Sequence, residues 1–344
     1  MNDSMSKSIL AVDVGSGTQD ILFYQPGRNI ENCPKFVVPS RTQIVAGQIQ
    51  AVTQEKKGVF LQGHVMGGGA CGLALRKHIT AGLPAYVTRE AALTFHDNLT
   101  RVAQMGVRFC EEAPEGSETL WLGDIDQASI EQALAAFGLE RPERYVVAVQ
   151  DHGFSETESN RIVRFRLWEQ FVRAGGRLKS LVFDGEIPVV YTRMRALREI
   201  LPQAVVTDTG TAALLGITAD PRVKPHLDKG VLAVNIGNSH TLAAAIRGER
   251  VYGVFEQHTS ALNTSDLAGL IQRFQGAELT NEEIYEKGGH GATLHPDMRP
   301  GWGFVAVTGP RRAMAKSLGW YEAAPYGDMM LTGCFGLLAG LGKL

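Results

Sequence analysis

One short pattern in this chain occurs twice. Ile9-Leu10-Ala11-Val12-Asp13-Val14-Gly15 lines up with Val231-Leu232-Ala233-Val234-Asn235-Ile236-Gly237, about 220 residues further on. Each copy is an apolar run that reaches a polar residue and then a glycine-bearing tip. The tips are Gly15-Ser16-Gly17-Thr18-Gln19 and Ile236-Gly237-Asn238-Ser239-His240, and a second apolar run follows each, Asp20–Tyr24 or Thr241–Ile246. Two extended runs joined by a short glycine-bent tip read as an antiparallel hairpin. A chain with this hairpin in both halves is expected to fold as two related half-structures facing one cleft.

The rest of the chain fits an α/β architecture. Buried strands are predicted at Ser8–Val14, Val59–Leu61, Ala85–Val87, Tyr145–Val149, Leu181–Phe183, Val205–Thr207, Val231–Asn235, Leu242–Ile246 and Phe304–Thr308. Helices are predicted at Ile130–Phe137, Ile162–Val172 and Val189–Ile200, where apolar residues recur at three and four spacing. Gly27–Asn32, Glu111–Glu118 and Thr218–Lys229 are the softest stretches. The last precedes the second hairpin and sets the expected division: domain I over 1–217 with insertions, domain II over 218–344. The 344 residues suit two domains.

Charge and cysteine usage narrow the partners. A net charge of -2 gives no field to recruit nucleic acid or an anionic membrane. Met1–Ser8 is polar and Asp13 interrupts the apolar run after it, which argues against a signal peptide or a membrane span. Cys33, Cys71, Cys110 and Cys334 are scattered without paired spacing, as expected of free thiols in a reducing cytoplasm.

The 39 glycines, about 11% of the chain, exceed the usual ~7% and carry most of the chemistry. In Asp13-x-Gly15-x-Gly17-Thr18 the glycines let backbone N–H groups point at phosphate oxygens. Asp13 can hold hydrated Mg²⁺, and Thr18 can donate its hydroxyl to a phosphate. An ordinary tight hairpin, with Asp13 satisfying the turn, is the other reading. Thr207–Gly216 follows a strand and opens a helix of small side chains. Phe304–Thr308 ends in Gly309-Pro310-Arg311-Arg312 and leads into a helix beginning at Ala313, whose N-terminus can receive a nucleotide. Met329–Leu341, with Gly333, Gly336, Ala339 and Gly340, is suited to packing closely on another helix.

With these segments in this order the sequence resembles the actin-like ATPase superfamily of sugar kinases, heat-shock chaperone ATPase domains and actin. Asp13–Asp20 looks like its first phosphate motif and Asn235–Thr241 its second. Thr207–Gly216 and Met329–Gly340 look like its connecting helices, and Val305–Arg311 like its adenosine motif. The resemblance implies two ribonuclease H-like domains closing over ATP and Mg²⁺. It assigns nucleotide contacts to Gly15, Ser16, Gly17, Thr18, Gly237, Asn238, Ser239, Thr241, Gly309 and Arg311. It places metal at Asp13 and Asp20, with Asp13 and Asp208 as the catalytic candidates and Asp208 as base. It also lets the C-terminal helix pack back on domain I.

Val149-Gln150-Asp151-His152-Gly153, Glu256-Gln257-His258-Thr259 and Gly288-Gly289-His290-Gly291 are similar to segments of a narrower family labelled "putative pyruvate formate-lyase activating enzyme". An activase of that kind is a radical S-adenosylmethionine enzyme with three clustered cysteines, a pattern this chain does not have. The chain also carries Asn235 where many superfamily members have an acid. A neutral amide can bind phosphate or a metal's water shell but cannot neutralise Mg²⁺. Three function classes follow: a phosphotransferase or ATPase acting on a small polar substrate, a nucleotide-dependent activator or chaperone of a partner enzyme, or a non-nucleotide protein that has kept only the fold. Asn235 leans toward the second.

The remaining candidates lie outside these motifs. Gly67, Gly68 and Gly69 sit in a glycine-dense run ahead of a helix at Leu73–Ile79, as a substrate loop or as a connector. His152, His258 and His290, with Asp151 and Glu256 beside them, can form a metal or acid–base cluster or a second-substrate site, or act singly as ordinary hydrogen-bonded residues. If they form a site, they must converge with Gly67–Gly72 on the cleft. Cys71 is considered as a nucleophile. Arg161, Arg164 and Arg166 read as a solvated helix face, with phosphate binding as the alternative.

Overall fold

The computed structural model describes residues 7–344; Met1–Ser6, most of the polar start, lie outside the described residues. The first hairpin forms as β1 (Ile9–Val14) and β2 (Thr18–Tyr24), and β3 (Lys35–Pro39) continues the antiparallel pairing. Then comes an inserted unit: α1 (Arg41–Gln54), β4 (Gly58–Gly63), α2 (Gly69–Thr80), β5 (Ala85–Val87), two short helices α3 (Arg89–Ala92) and α4 (Leu99–Gln104), β6 (Arg108–Phe109) and β7 (Ser117–Leu122). Its four strands pair in parallel in the order β6-β5-β4-β7 around their own core of Val45, Ile49, Leu61, Leu75 and Val102. After α5 (Gln127–Ala136), β8 (Arg144–Val149) returns beside β1 in parallel. α6 (Asn160–Arg173) and α7 (Thr192–Ile200) lead to β9 (Val205–Thr207), and the first sheet reads β3-β2-β1-β8-β9.

α8 (Thr209–Ala219) carries the chain to the second sheet, where β10 (Val231–Ile236), β11 (His240–Arg247) and β12 (Arg250–His258) repeat the antiparallel meander. α9 (Thr264–Gln275), α10 (Asn281–Glu286) and an extra edge strand β13 (Gly291–Leu294) precede β14 (Phe304–Thr308) and β15 (Tyr321–Glu322), and α11 (Thr332–Gly340) ends the run. β10, β14 and β15 pair in parallel, giving β13-β12-β11-β10-β14-β15. With β13 set aside, the two sheets share strand order and strand direction. Three antiparallel strands followed by two parallel ones is the ribonuclease H-like arrangement. Present twice around a cleft, it is the actin-like ATPase fold.

α8 and α11 pack against each other between the sheets. α8 turns Leu214, Leu215 and Ile217 toward the second sheet, and α11 turns Phe335, Leu337 and Leu338 toward Ile9, Ala11 and Val146 of the first. Glycines set their separation. A Cβ at Gly216 would strike the carbonyl of Thr332, and one at Gly336 that of Ala212.

Several boundaries differ from expectation. Leu181–Phe183 is no strand: a 3-10 turn covers Leu178–Leu181, and Phe183 makes a single bridge to Val206. The segment after Gly309 is a seven-residue 3-10 turn, Arg312–Leu318, so no α-helix N-terminus stands there to receive an anion. β3, α1, β7, β12, β13, α9 and α10 were not foreseen. No helix among the described residues is long and apolar enough to cross a membrane.

Candidate active site

Parallel strands present their carboxyl ends to one side of a sheet, where ligands of α/β folds collect. Both hairpin tips, the loop after β8 and the turn after β14 meet on that side. Their residues line a cleft of about 830 Å³ that includes Asp13, Gly15, Ser16, Thr18, Asp20, Asn235, Gly237, Asn238, Ser239, His240, Gly309 and Thr332.

The two tips are built alike. Gly15 N–H donates to the Thr18 carbonyl at 2.8 Å, and Gly237 N–H to the His240 carbonyl at 2.9 Å. The counterpart of Thr18 is therefore His240. Thr241, read from sequence as the phosphate ligand, is buried and shares a hydrogen bond of 3.0 Å with Thr259. The tips touch: Ser239 Oγ donates to Ser16 Oγ at 2.9 Å, and a Cβ on Gly17 would come within 2.8 Å of the Asn238 amide. Gly309 has φ +101° and no room for a Cβ beside the Ile236 carbonyl, so this turn requires glycine. Arg311 is exposed and lies outside the cleft lining.

Asp13 and Asp20 face each other across the first hairpin. Burial raises both carboxyls: Asp20 to about 7, aided by Asp328, and Asp13 well above the usual range, aided by Asp20 and Asp208. Asp13 Oδ1 and Asp20 Oδ1 have no hydrogen-bond partner. Two orphaned carboxylate oxygens on the cleft wall fit a hard divalent cation such as Mg²⁺. α11 comes so close here that a side chain at Gly333 would overlap Asp13.

Asp208 is placed differently from its expected role. As the N-cap of α8 it accepts from Gly210 N–H at 2.9 Å. It also takes Arg164 at 2.8 and 3.0 Å and the Asp151 N–H at 3.1 Å. Four donors, two of them from a guanidinium, occupy its lone pairs, and it does not line the cleft. The base role is corrected on that ground. Arg164 is likewise no solvated residue: only 5% exposed, it also holds Glu256 at 2.8 Å. Arg166 does lie on the surface, paired with Glu158, while Arg161 reaches the Gly289 and Tyr285 carbonyls.

A second cavity of about 1040 Å³ adjoins the first and shares Gly15, Ser16, Gln150, Thr209, Ser239 and His240 with it. Gly67, Gly68, Gly69 and His152 line it. Two of these glycines have packing reasons. The Arg193 guanidinium lies over Gly67, and a Cβ on Gly68 would strike the Thr94 carbonyl. Gly67 N–H donates to Asp124 at 3.1 Å, and Arg193 grips the same carboxylate at 2.6 and 2.7 Å. Asp124 and Arg193 were not foreseen, because they stand 69 residues apart with no motif linking them.

The histidines do gather. His152 lies 4.9 Å from His290, ring centre to ring centre; His240 lies 4.7 Å from His290 and 4.8 Å from His258. Burial, with Arg164 nearby, holds His152 well below the usual imidazole range. His240 is pushed by burial to about 4. Burial alone would raise Glu256, but the Arg164 charge outweighs it and keeps the carboxylate ionised. Asp151 does not join them, since its carboxylate accepts from Gly153 and Met194 N–H groups. His240 was missed as a member, although counting three residues from each tip glycine reaches it as it reaches Thr18. Cys71 is no nucleophile: it is fully buried, and burial pushes its thiol to about 11.

Two ribonuclease H-like sheets, with a glycine-tipped hairpin from each over a shared cleft, define a protein with the actin-like ATPase fold. Over residues 66–314 the chain matches the model described as "Putative pyruvate format-lyase activating enzyme (DUF1786)", and it belongs to that family. Similar solved structures include a Bacteroides thetaiotaomicron protein with actin-like ATPase fold and unknown function (8% identity, 92% of this chain and 90% of that one, TM-score 0.32). A "putative sugar kinase" from Cytophaga hutchinsonii is similar at 10% identity, 98% and 100% coverage and TM-score 0.34. A ROK family transcriptional regulator is similar at 8% identity and TM-score 0.29; the match covers 73% of this chain but only 39% of the regulator. No curated protein gives a significant match. The family description does not fit the cysteines: Cys33, Cys71 and Cys334 are buried, and among the described residues no cysteine belongs to a group able to share a metal.

Proposed function

We propose that this chain binds a nucleoside triphosphate, ATP, with Mg²⁺ in the first cavity and transfers its terminal phosphoryl group to a small polar acceptor in the second. The observation that carries this reading is that both hairpin tips and His240 border the two cavities at once, so a phosphate held between the tips is exposed to whatever fills the other side. Ser16, Gly17 and Thr18, with Asn238 and Ser239, would cradle phosphates through N–H and hydroxyl donors, while Gly15 and Gly237 close the turns and keep the approach open. Gly309 and Pro310 would border the nucleoside. Asp13 and Asp20 would hold the magnesium, which when bound supplies charge to the phosphoryl oxygens. Gly67, Gly68, Gly69 and His152 would meet the acceptor. In this reading the lobes are 1–217 and 218–344, and they close on the ligand.

Isothermal titration is the test. ATP or ADP should bind in a Mg²⁺-dependent way, and Gly15→Val should abolish binding by filling the backbone's approach to phosphate. A wild-type protein that takes up no nucleotide at millimolar concentration overturns the proposal. A second reading, a nucleotide-driven activator of a partner enzyme, is favoured by one feature. Asn235 stands opposite Asp13 in the repeat, and Asp208 and Glu256 are committed to Arg164, so neither of these two carboxylates is free to act as a base. Screening for phosphorylated metabolites separates the two: a labelled small molecule supports transfer, and ATP loss only with a protein partner supports activation.

A further inference from the structure

His152 follows β8, His240 opens β11, Glu256 lies on β12 and His290 precedes β13. Each nonetheless offers a ligand atom, all within 4.8 Å of one another. His152 Nε2 and His290 Nδ1 are buried without any hydrogen-bond partner. An orphaned polar nitrogen in the interior costs free energy unless something else takes its lone pair. The charge around them points to what that is. Arg164 is the one cation among these buried groups and faces two carboxylates, Asp208 and Glu256, which leaves an excess of negative charge. The carboxylate is also held in place: Arg164 Nε donates to Glu256 Oε2 at 2.8 Å, and the Gln150 amide donates to Glu256 Oε1 at 3.3 Å.

We propose that His152, His240, His290 and Glu256 hold a divalent first-row transition-metal ion, of the zinc or ferrous kind, at the inner wall of the second cavity. Three imidazoles and one carboxylate are too nitrogen-rich for Mg²⁺ or Ca²⁺, which take oxygen, and suit Zn²⁺, Fe²⁺ or Co²⁺. The site is separate from the all-oxygen pair Asp13 and Asp20. His152 and His240 line the second cavity, so an oxygen of the molecule bound there can complete the ion's ligands. The exposed trio His64, Glu90 and Glu199 also clusters, but His64 Nδ1 already has Glu90 at 2.7 Å and Glu199 at 3.1 Å, so it serves as the comparison.

The experiment uses untagged full-length protein, stripped with chelator, dialysed against Zn²⁺ or Co²⁺ and assayed for metal content and for the visible Co²⁺ absorption. Wild type and His64→Ala should each retain about one equivalent, and His152→Ala and His290→Ala should bind at least about tenfold more weakly. Added Zn²⁺ should raise the melting temperature of wild type and not of those two variants. If His290→Ala fails to fold, His290→Asn replaces it. Wild-type protein that retains no metal, or His152 and His290 variants that bind as tightly as wild type, overturns the proposal. No nucleotide is present, so this result stands apart from the nucleotide titration, and either reading can fail alone.

Discussion

The hydroxyls of Ser16 and Ser239, 223 residues apart in the chain, lie 2.9 Å from each other and bridge the two hairpin tips. A phosphate chain that enters between the tips must part this contact. Ser239→Ala removes a hydrogen bond worth about 1 kcal/mol, so nucleotide association should accelerate up to about fivefold. Stopped-flow mixing with a fluorescent nucleotide measures it, and an unchanged rate would show that the contact does not gate entry.

Arg164 is the buried counter-charge for both Asp208 and Glu256. Arg164→Leu should cost about 3–5 kcal/mol, because it strands two carboxylates. Arg164→Lys should recover little, since an ammonium cannot reproduce the bidentate contact. Asp208→Asn separates structure from chemistry. If Asp208 is structural, stability falls and any remaining folded fraction turns over at the normal rate. Loss of turnover in fully folded Asp208→Asn would restore it as a base.

Asp20 makes stability depend on pH. Its carboxyl titrates near 3.8 when unfolded and at about 7 when folded, so the folded state binds the proton more tightly. Stability from this group is complete below about pH 4 and is lost as pH rises toward 7, by roughly 4 kcal/mol at most. At the proposed site Mg²⁺ would replace the proton, so its stabilising effect should be small at pH 5 and large at pH 8. Melting curves with and without Mg²⁺ at both values test this, and Asp20→Asn should flatten the difference.

Asn235→Asp would set a carboxylate in the second hairpin where the first has Asp13. Any basal ATP hydrolysis should rise. A fall at unchanged nucleotide affinity would mean that the amide itself takes part.

Thiol accessibility offers an independent check on the packing. Cys33, Cys71 and Cys334 are buried and Cys110 is partly exposed, so a thiol reagent on the native protein should label Cys110 alone.

The repeated heptapeptide carried much of the fold, because a strand buried on both faces must be apolar throughout and a hairpin tip must bend. It could not reveal the inserted sheet, whose β7, Ser-Glu-Thr-Leu-Trp-Leu, looks like a loop until β4 pairs with it. Asp13, Asp20 and the glycines of the tips were legible from local chemistry. Asp208 was misread because its partner Arg164 sits 44 residues away on α6, and only the fold brings the guanidinium to it. The convergence of His152 with His290 was open for the same reason, since each is an isolated histidine in its own loop.

The Cys334 thiol on α11 donates to the Asp20 carbonyl on β2 at 3.0 Å and lies 3.6 Å from the Ala11 carbonyl on β1, across 323 residues of chain. β1 is therefore synthesised long before the helix that completes its surroundings. Until Phe335, Leu337 and Leu338 are synthesised, Ile9, Ala11 and Val146 face an unfinished layer. A chain that stops before Thr332 leaves that layer uncovered and should accumulate as aggregate, which sedimentation of the truncated chain checks.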